Sequence, residues 1–384
     1  MKNFKFLGII CLLVAGLMFV SCTSEPIPGP QGLAGIDGVD GQNGQNGQDG
    51  TDGEATCVAC HSESHRAPIN ASYDLSGHAA GGAVGYAGGR SSCTYCHSNE
   101  GFIDWMEGMP AVNRTDQTPI SCTACHSKHS TFDFENDGHD YAVRNYDPVT
   151  LMTDASVTID YGDLSNLCAN CHQPRRTEPI NDGNDEFTVT SSHWGPHYGF
   201  QVALLEGIQG AHIVGSVAYP TPQSATHRTG ASCTSCHMAE TTDGTDGAHT
   251  WNTSINGCNN CHSNTPTTVA GLDDDIATLK TLLESVVGWE YVYEEDANGD
   301  LVEDANGDPI MVLDGNGDPV TREVIGVLVD GAPNNGTQGQ GATFPFKAAQ
   351  AGWNYRVLYQ DHSHGIHNPA YARALVQNSI EALQ

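Results

Sequence analysis

The sequence predicts a mainly α fold with long ordered loops and one small β-hairpin insertion near residues 290–330. Three observations lead there. Six Cys-x-x-Cys-His pentads are spread over residues 57–262, apolar residues recur at helical spacing from Asp273 to Val287, and three Asp/Asn/Gly-rich near-copies punctuate residues 296–318. At about 150 residues per domain, a chain of 384 residues suggests two or three units. Its 15 Lys and Arg against 46 Asp and Glu give a formal charge of −31. So acidic a surface repels phosphate backbones, which excludes a nucleic-acid partner. After residue 21 no run of eighteen apolar residues occurs, which excludes an integral transporter.

Residues 1–21 carry Lys2 and Lys5 and then an apolar run from Phe6 to Val20, the pattern of an export signal. Val20-Ser21-Cys22 resembles a bacterial lipobox, although Phe19 stands where an aliphatic residue is usual. Lipidation at Cys22 is one reading and plain secretion the other; both export the chain and leave it at −33. From Gly29 to Gly53 glycine falls at every third position. Gly-X-Y is the collagen pattern, because only glycine fits the axis of three wound chains. So short, polar and proline-poor a repeat also reads as a flexible tether. Residues 22–56 are thus a spacer, either single-stranded or the stalk of a homotrimer.

Residues 57–270 contain the pentads: Cys57, Cys60 and His61; Cys93, Cys96 and His97; Cys122, Cys125 and His126; Cys168, Cys171 and His172; Cys233, Cys236 and His237; Cys258, Cys261 and His262. Cys-x-x-Cys-His is the attachment motif of c-type haem, in which two thioethers hold the porphyrin and the histidine binds iron on the proximal side. Zinc ribbons or disulfides would use the cysteine pairs but give no reason for six histidines at one position. Six haems would supply much of the apolar core themselves, so a haem-packed core with short helices follows. Twelve further histidines are available for the distal sides. His78, His129, His193, His227, His249 and His367 are the candidates, with His65 a further one. His139, His197, His212, His362 and His364 read as spares. Three residues reach only about 10 Å, so His129 is too close to His126 to pass round the same macrocycle and would have to bind a neighbouring haem. Only five methionines follow the leader, which favours histidine as sixth ligand.

Residues 271–344 open with the helix from Asp273, whose Ile276, Leu279, Leu282, Leu283 and Val286 share one face, with Asp273 as N-cap. The three copies follow: Asp296, Asn298, Asp300; Asp304, Asn306, Asp308; Asp314, Asn316, Asp318. Their D-x-N-x-D core resembles the start of a calcium loop but lacks the glycine at position six and the glutamate at twelve. Asn-Gly between short apolar runs instead signals hairpin turns. Calcium at these carboxylates is the alternative. Residues 345–384 read as two helices, the second capped by Asn368 with Pro369 at its first position and with Tyr371, Leu375 and Ile380 facing inward.

Several stretches resemble exported multihaem cytochromes c: Ser76-Gly77-His78 through CTYCHSNEGF and CTACHSKH, then SSHWGPH, CTSCHM and the closing GIHNPAYARALVQNSIEAL. The His-Asn-Pro followed by a helix is similar to the pentahaem nitrite reductase and octahaem reductase groups. The resemblance covers 57–262 and 345–384 and implies bis-histidine haems arranged as a wire. Ammonia-forming nitrite reductases mark their catalytic haem with lysine in place of the motif histidine, whereas all six motifs here end in histidine. The leading reading is therefore an electron carrier without catalytic residues, held at an outer membrane or cell surface by its lipid, or on the periplasmic face. It would serve redox partner proteins or extracellular electron acceptors, and its acidity favours basic partners and metal cations. The alternatives are a multihaem oxidoreductase reducing a nitrogen or sulfur oxyanion at one open haem, and a homo-oligomeric filament subunit.

Overall fold

The structure, a computed structural model, describes residues 53–384 apart from 139, 181–182, 192–193, 200, 266, 330–331 and 334–340, and apart from the side chains of 53–56, 328–329 and 332–333. The leader, Cys22, most of the Gly-X-Y repeat, His139 and His193 thus lie outside the described residues. Among the described residues no helix is long and apolar enough to cross a membrane.

Side-chain burial divides the described chain in two. Between residues 57 and 148 the only fully buried apolar side chains are Ala87, Phe102 and Ala124. This stretch contains short helices such as Glu63–Tyr73 and Asn99–Met106, joined by long loops. The main apolar core lies elsewhere, among Leu272–Glu284, Phe346–Asp361 and Pro369–Leu383. Asn368 caps the last of these, its side chain accepting a hydrogen bond from the Tyr371 N–H at 3.1 Å, and Pro369 begins the helix. Tyr371, Leu375 and Ile380 point into the core with Leu272, Leu279, Leu283 and Phe344. Asn354 adds a polar clamp: it bonds both the N–H and the C=O of Ala211, at 2.8 and 2.9 Å, and donates to Ser379 Oγ at 3.1 Å. Gly210 is required beside it, because a Cβ there would lie 2.5 Å from Leu375 and 2.6 Å from the Tyr371 hydroxyl.

Two expectations for the 271–344 segment are corrected. The helix runs from Leu272 to Glu284 and stops short of Val287, which starts a strand, Val287–Tyr291, paired with Thr321–Ile325. Its N-cap is Gly271, at φ 77°, a left-handed conformation natural to glycine. Asp273 sits in the first turn with Asp274 and Asp275, where the helix dipole favours carboxylates. Strand structure also extends beyond 290–330. A four-stranded antiparallel sheet orders Glu186–Thr188, Thr343–Pro345, Val287–Tyr291 and Thr321–Ile325, so the insertion is bound to the body by strands from either side of it.

The three Asp/Asn/Gly copies form turns. In each, the leading aspartate accepts the N–H groups two and four residues on: Asp296 from Asn298 and Asp300, Asp304 from Asn306 and Asp308, Asp314 from Asn316 and Asp318, at 2.8 to 3.0 Å. The carboxylates thus serve their own turns. Among the described residues no three His, Cys, Asp or Glu side chains are gathered as a metal site. Between the turns the backbone closes on itself. Glu294 donates to Ile310, Ile310 to Val302 and Val302 to Glu294, and a second ring joins Val292, Val320 and Val312 in the same way.

Asn354→Leu is expected to strand the Ala211 backbone groups and lower unfolding stability by roughly 3 kcal/mol, measurable by denaturant melts. The turn N–H groups hold the carboxyls of Asp296, Asp304 and Asp314 below the usual range. A depressed folded pKa gives stability that is present above the unfolded value of about 3.9 and lost as pH falls through the lower folded value. Amide NMR signals of Asn298, Asn306 and Asn316 should therefore hold steady down to pH 4 and move together below it.

Candidate functional site

Each pentad lies on or beside a short helical segment, as in Thr94–His97, Cys122–Cys125 and Cys233–His237. In four of them the histidine N–H bonds back to the first cysteine's carbonyl, at 3.1 Å for His97, 2.8 Å for His126, 3.0 Å for His172 and 2.9 Å for His262. One helical turn carries both thiols past the same side and leaves the histidine just beyond them. The twelve motif cysteines form no disulfides.

Every motif histidine faces a second histidine from outside the motifs. The ring-centre separations are 6.0 Å for His61–His129, 5.9 Å for His97–His197, 6.3 Å for His126–His249, 6.2 Å for His172–His78, 6.4 Å for His237–His367 and 6.1 Å for His262–His227. An imidazole nitrogen stands about 2.0 Å from a bound metal and roughly 1.1 Å from its own ring centre, so two axial imidazoles across one iron have centres roughly 6.2 Å apart. All six gaps match that span. The residues therefore fit six haems with two histidine ligands each.

Five of the six distal candidates occupy these places: His78, His129, His227, His249 and His367. The sixth place, opposite His97, holds a different histidine. His197, a spare on sequence grounds, faces His97, while His193 lies outside the described residues. Both belong to the His-Trp-Gly-Pro-His loop, and no residue pattern in the sequence ranks one above the other. His129 faces His61 and not the adjacent His126, as its short tether to His126 requires. Of the remaining histidines, His65 is exposed, His212 stacks on Tyr219 at 4.1 Å and His364 meets Asp273 at 3.0 Å. His362 ends the Phe346–Asp361 helix with left-handed backbone.

Hydrogen bonds at Nδ1 prepare these rings for a metal. The Nδ1 of His126 meets the Tyr141 carbonyl, that of His197 the Tyr198 carbonyl, that of His227 the Ile366 carbonyl and that of His237 the Trp251 carbonyl. His172 Nδ1 meets Gln201 Oε1 at 2.9 Å. Acceptors at Nδ1 place the proton there and leave Nε2 with a free lone pair. Two rings have a carboxylate instead: His129 with Asp140 at 2.6 Å and His367 with Asp361 at 2.7 Å. Burial holds His78, His97, His237 and His249 below the ordinary imidazole value, His78 down to about 4, so these rings are neutral near pH 7. Burial pulls the His367 pKa down most strongly, but the Asp361 charge and hydrogen bond together with the nearby Cys233 outweigh it and raise the ring's pKa.

The sites adjoin one another. The Cys171 thiol donates to the Tyr95 carbonyl at 3.8 Å, which joins the second motif to the fourth, and the fourth meets the fifth through Ser165. Ser165 Oγ, just ahead of the fourth motif, accepts from the Thr234 N–H at 3.1 Å and donates to Ser232 Oγ at 2.9 Å. The fifth and sixth motifs touch at Gly257, where a Cβ would come 2.8 Å from the Ser235 carbonyl. The first and third meet through the neighbours His126 and His129.

No protein-family model matches the chain, and neither does any curated protein. Among solved structures it is similar to the outer cell wall cytochrome OcwA, with TM-score 0.44 and 17% identity over 82% of this chain and 50% of that one. It is also similar to an undecaheme cytochrome from the S-layer of Carboxydothermus ferrireducens, with TM-score 0.39 and 16% identity over 77% of this chain and 38% of that one. The chain thus spans half or less of the length of these cytochromes.

Proposed function

We propose that the chain is an exported multihaem c-type cytochrome that binds six haems, each between a motif histidine and a second histidine, and conducts electrons among them. The observation that carries this reading is the second histidine standing opposite all six motif histidines at 5.9 to 6.4 Å. Bound haem supplies a one-electron ferric/ferrous couple. The thiols of each pentad would anchor it, and the Nδ1 partners would fix ring tautomer and orientation. Contacts between motifs join the first to the third, the second to the fourth, the fourth to the fifth and the fifth to the sixth, which supports conduction from site to site. A partner at every motif histidine favours a conduit over a reductase with an open iron. The leader, Cys22 and the Gly-X-Y spacer favour tethering at an outer membrane or cell surface, where the acidic chain suits cationic redox partners.

The full chain matured with haem should give six haems per polypeptide by pyridine haemochrome assay, and low-spin ferric signals only by EPR. In His197→Ala one haem in six should turn high-spin; five unchanged signals beside it would fix the ligand, whereas the same outcome from His193→Ala alone would reject His197. Asp361→Asn removes the anionic partner of His367, makes that ligand a weaker donor and should raise one midpoint potential on the order of tens of millivolts. Spectroelectrochemical titration reads that shift.

A further inference from the structure

We propose that Trp251 is a shared positioning residue that orients axial histidines at three of the six sites, those of Cys122–His126, Cys168–His172 and Cys233–His237. The proposal rests on the haem assignment above and extends it to a residue outside every motif and every histidine pair. The Trp251 ring stands edge-to-face on His78 at 4.9 Å and 82°, and on His249 at 5.4 Å and 77°. These are the second histidines of the fourth and third sites. The Trp251 backbone carbonyl accepts the Nδ1 hydrogen bond of His237 at 2.7 Å, at the fifth site. Tyr73 closes the far side of the indole at 6.2 Å, and its hydroxyl donates to the Ile120 carbonyl just ahead of the third motif.

Backbone geometry indicates that this placement is imposed. Trp251 has φ 53° and ψ 9°, a left-handed conformation that L side chains other than Asn and Asp rarely adopt. It is fixed from both sides: the Gly247 N–H donates to the Asn252 carbonyl at 2.8 Å, Thr250 Oγ1 donates to the Gly247 carbonyl at 2.7 Å, and the Ala248 N–H donates to the Ala239 carbonyl at 2.9 Å. Such strain persists only where the surroundings determine it, and it clusters at functional sites. Here it turns the indole toward two ligand rings while its carbonyl faces a third. The ring pairs it governs differ in twist: 33° at His126–His249, 34° at His237–His367 and 79° at His172–His78. The angle between two axial imidazoles sets the g-anisotropy of a low-spin ferric haem, so rotating these rings has a direct spectroscopic readout.

The test compares EPR spectra and redox titrations of the haem-loaded full chain as wild type, Trp251→Gly, Trp251→Ala and Trp251→Phe, with Trp289→Phe in the sheet as control. Glycine keeps the left-handed backbone and the carbonyl on His237 but removes the ring. Two of six low-spin signals should change anisotropy in that variant, the His78 and His249 sites, while four stay. Alanine lacks the ring and resists the backbone conformation, so a third signal should move as well. Phenylalanine should restore the first two toward wild type, and the control should match wild type throughout. A glycine variant with all six signals unchanged, or all six altered, would overturn the proposal while the haem assignment stands. A wild-type protein with fewer than six bis-histidine haems would overturn the assignment and this proposal together.

Discussion

The facing of two histidine rings across a fixed gap is the contact on which the first half of the molecule depends. A chain segment usually holds its shape by burying apolar side chains, at about 25 cal/mol per Å² removed from water. Among the described residues of 57–148, the apolar side chains fully buried are those of Ala87, Phe102 and Ala124. Four histidine pairs involve this stretch, His61 with His129, His78 with His172, His97 with His197 and His126 with His249. Three of these pairs reach out of the stretch to distant parts of the chain, so ligand pairs stand where core contacts would otherwise be. The proposed haems would then be both cargo and core, and folding of this half would be coupled to their attachment.

The other half folds by ordinary means and places groups for the first. The Phe346–Asp361 helix ends with Asp361 held against His367, and the Asn368 cap starts the next helix one residue after His367. The sixth site draws on the same corner, since His227 bonds the Ile366 carbonyl. One tight link between two core helices thus sets the ring orientation at two sites. Glu206, fully buried, is neutralised by Arg228 at 3.0 Å, which ties the segment carrying His227 to the Gln201–Glu206 helix and so to the Gln201 partner of His172.

Much of this was legible in the residues. The pentads are local, so the six motifs and their histidines could be read without a fold. Asn368-Pro369 is a local signal too, and so are the Asn-Gly turns. What failed was non-local. His197 and His193 lie four residues apart in the sequence, and composition gives no clue that it is His197 that meets His97. Asp273 has the chemistry of an N-cap, but Gly271 can adopt the left-handed turn that the chain needs there, so the cap falls earlier. Val287 fits the helical period, yet its β-branched side chain and its partner Ile325 carry it into the sheet.

The two backbone rings of the 292–320 insertion bear on how the protein behaves among its own copies. A sheet ordinarily leaves an outer strand whose unpaired N–H and C=O groups can template another chain. Here Val292, Glu294, Val302, Ile310, Val312 and Val320 each donate to one neighbour and accept from another. This leaves those positions no free edge for strand addition. The insertion's tips are aspartate turns, which repel the like-charged tips of a second molecule. A strand-rich appendage with open edges would be an aggregation hazard; closing it into a ring and charging its ends works against that hazard.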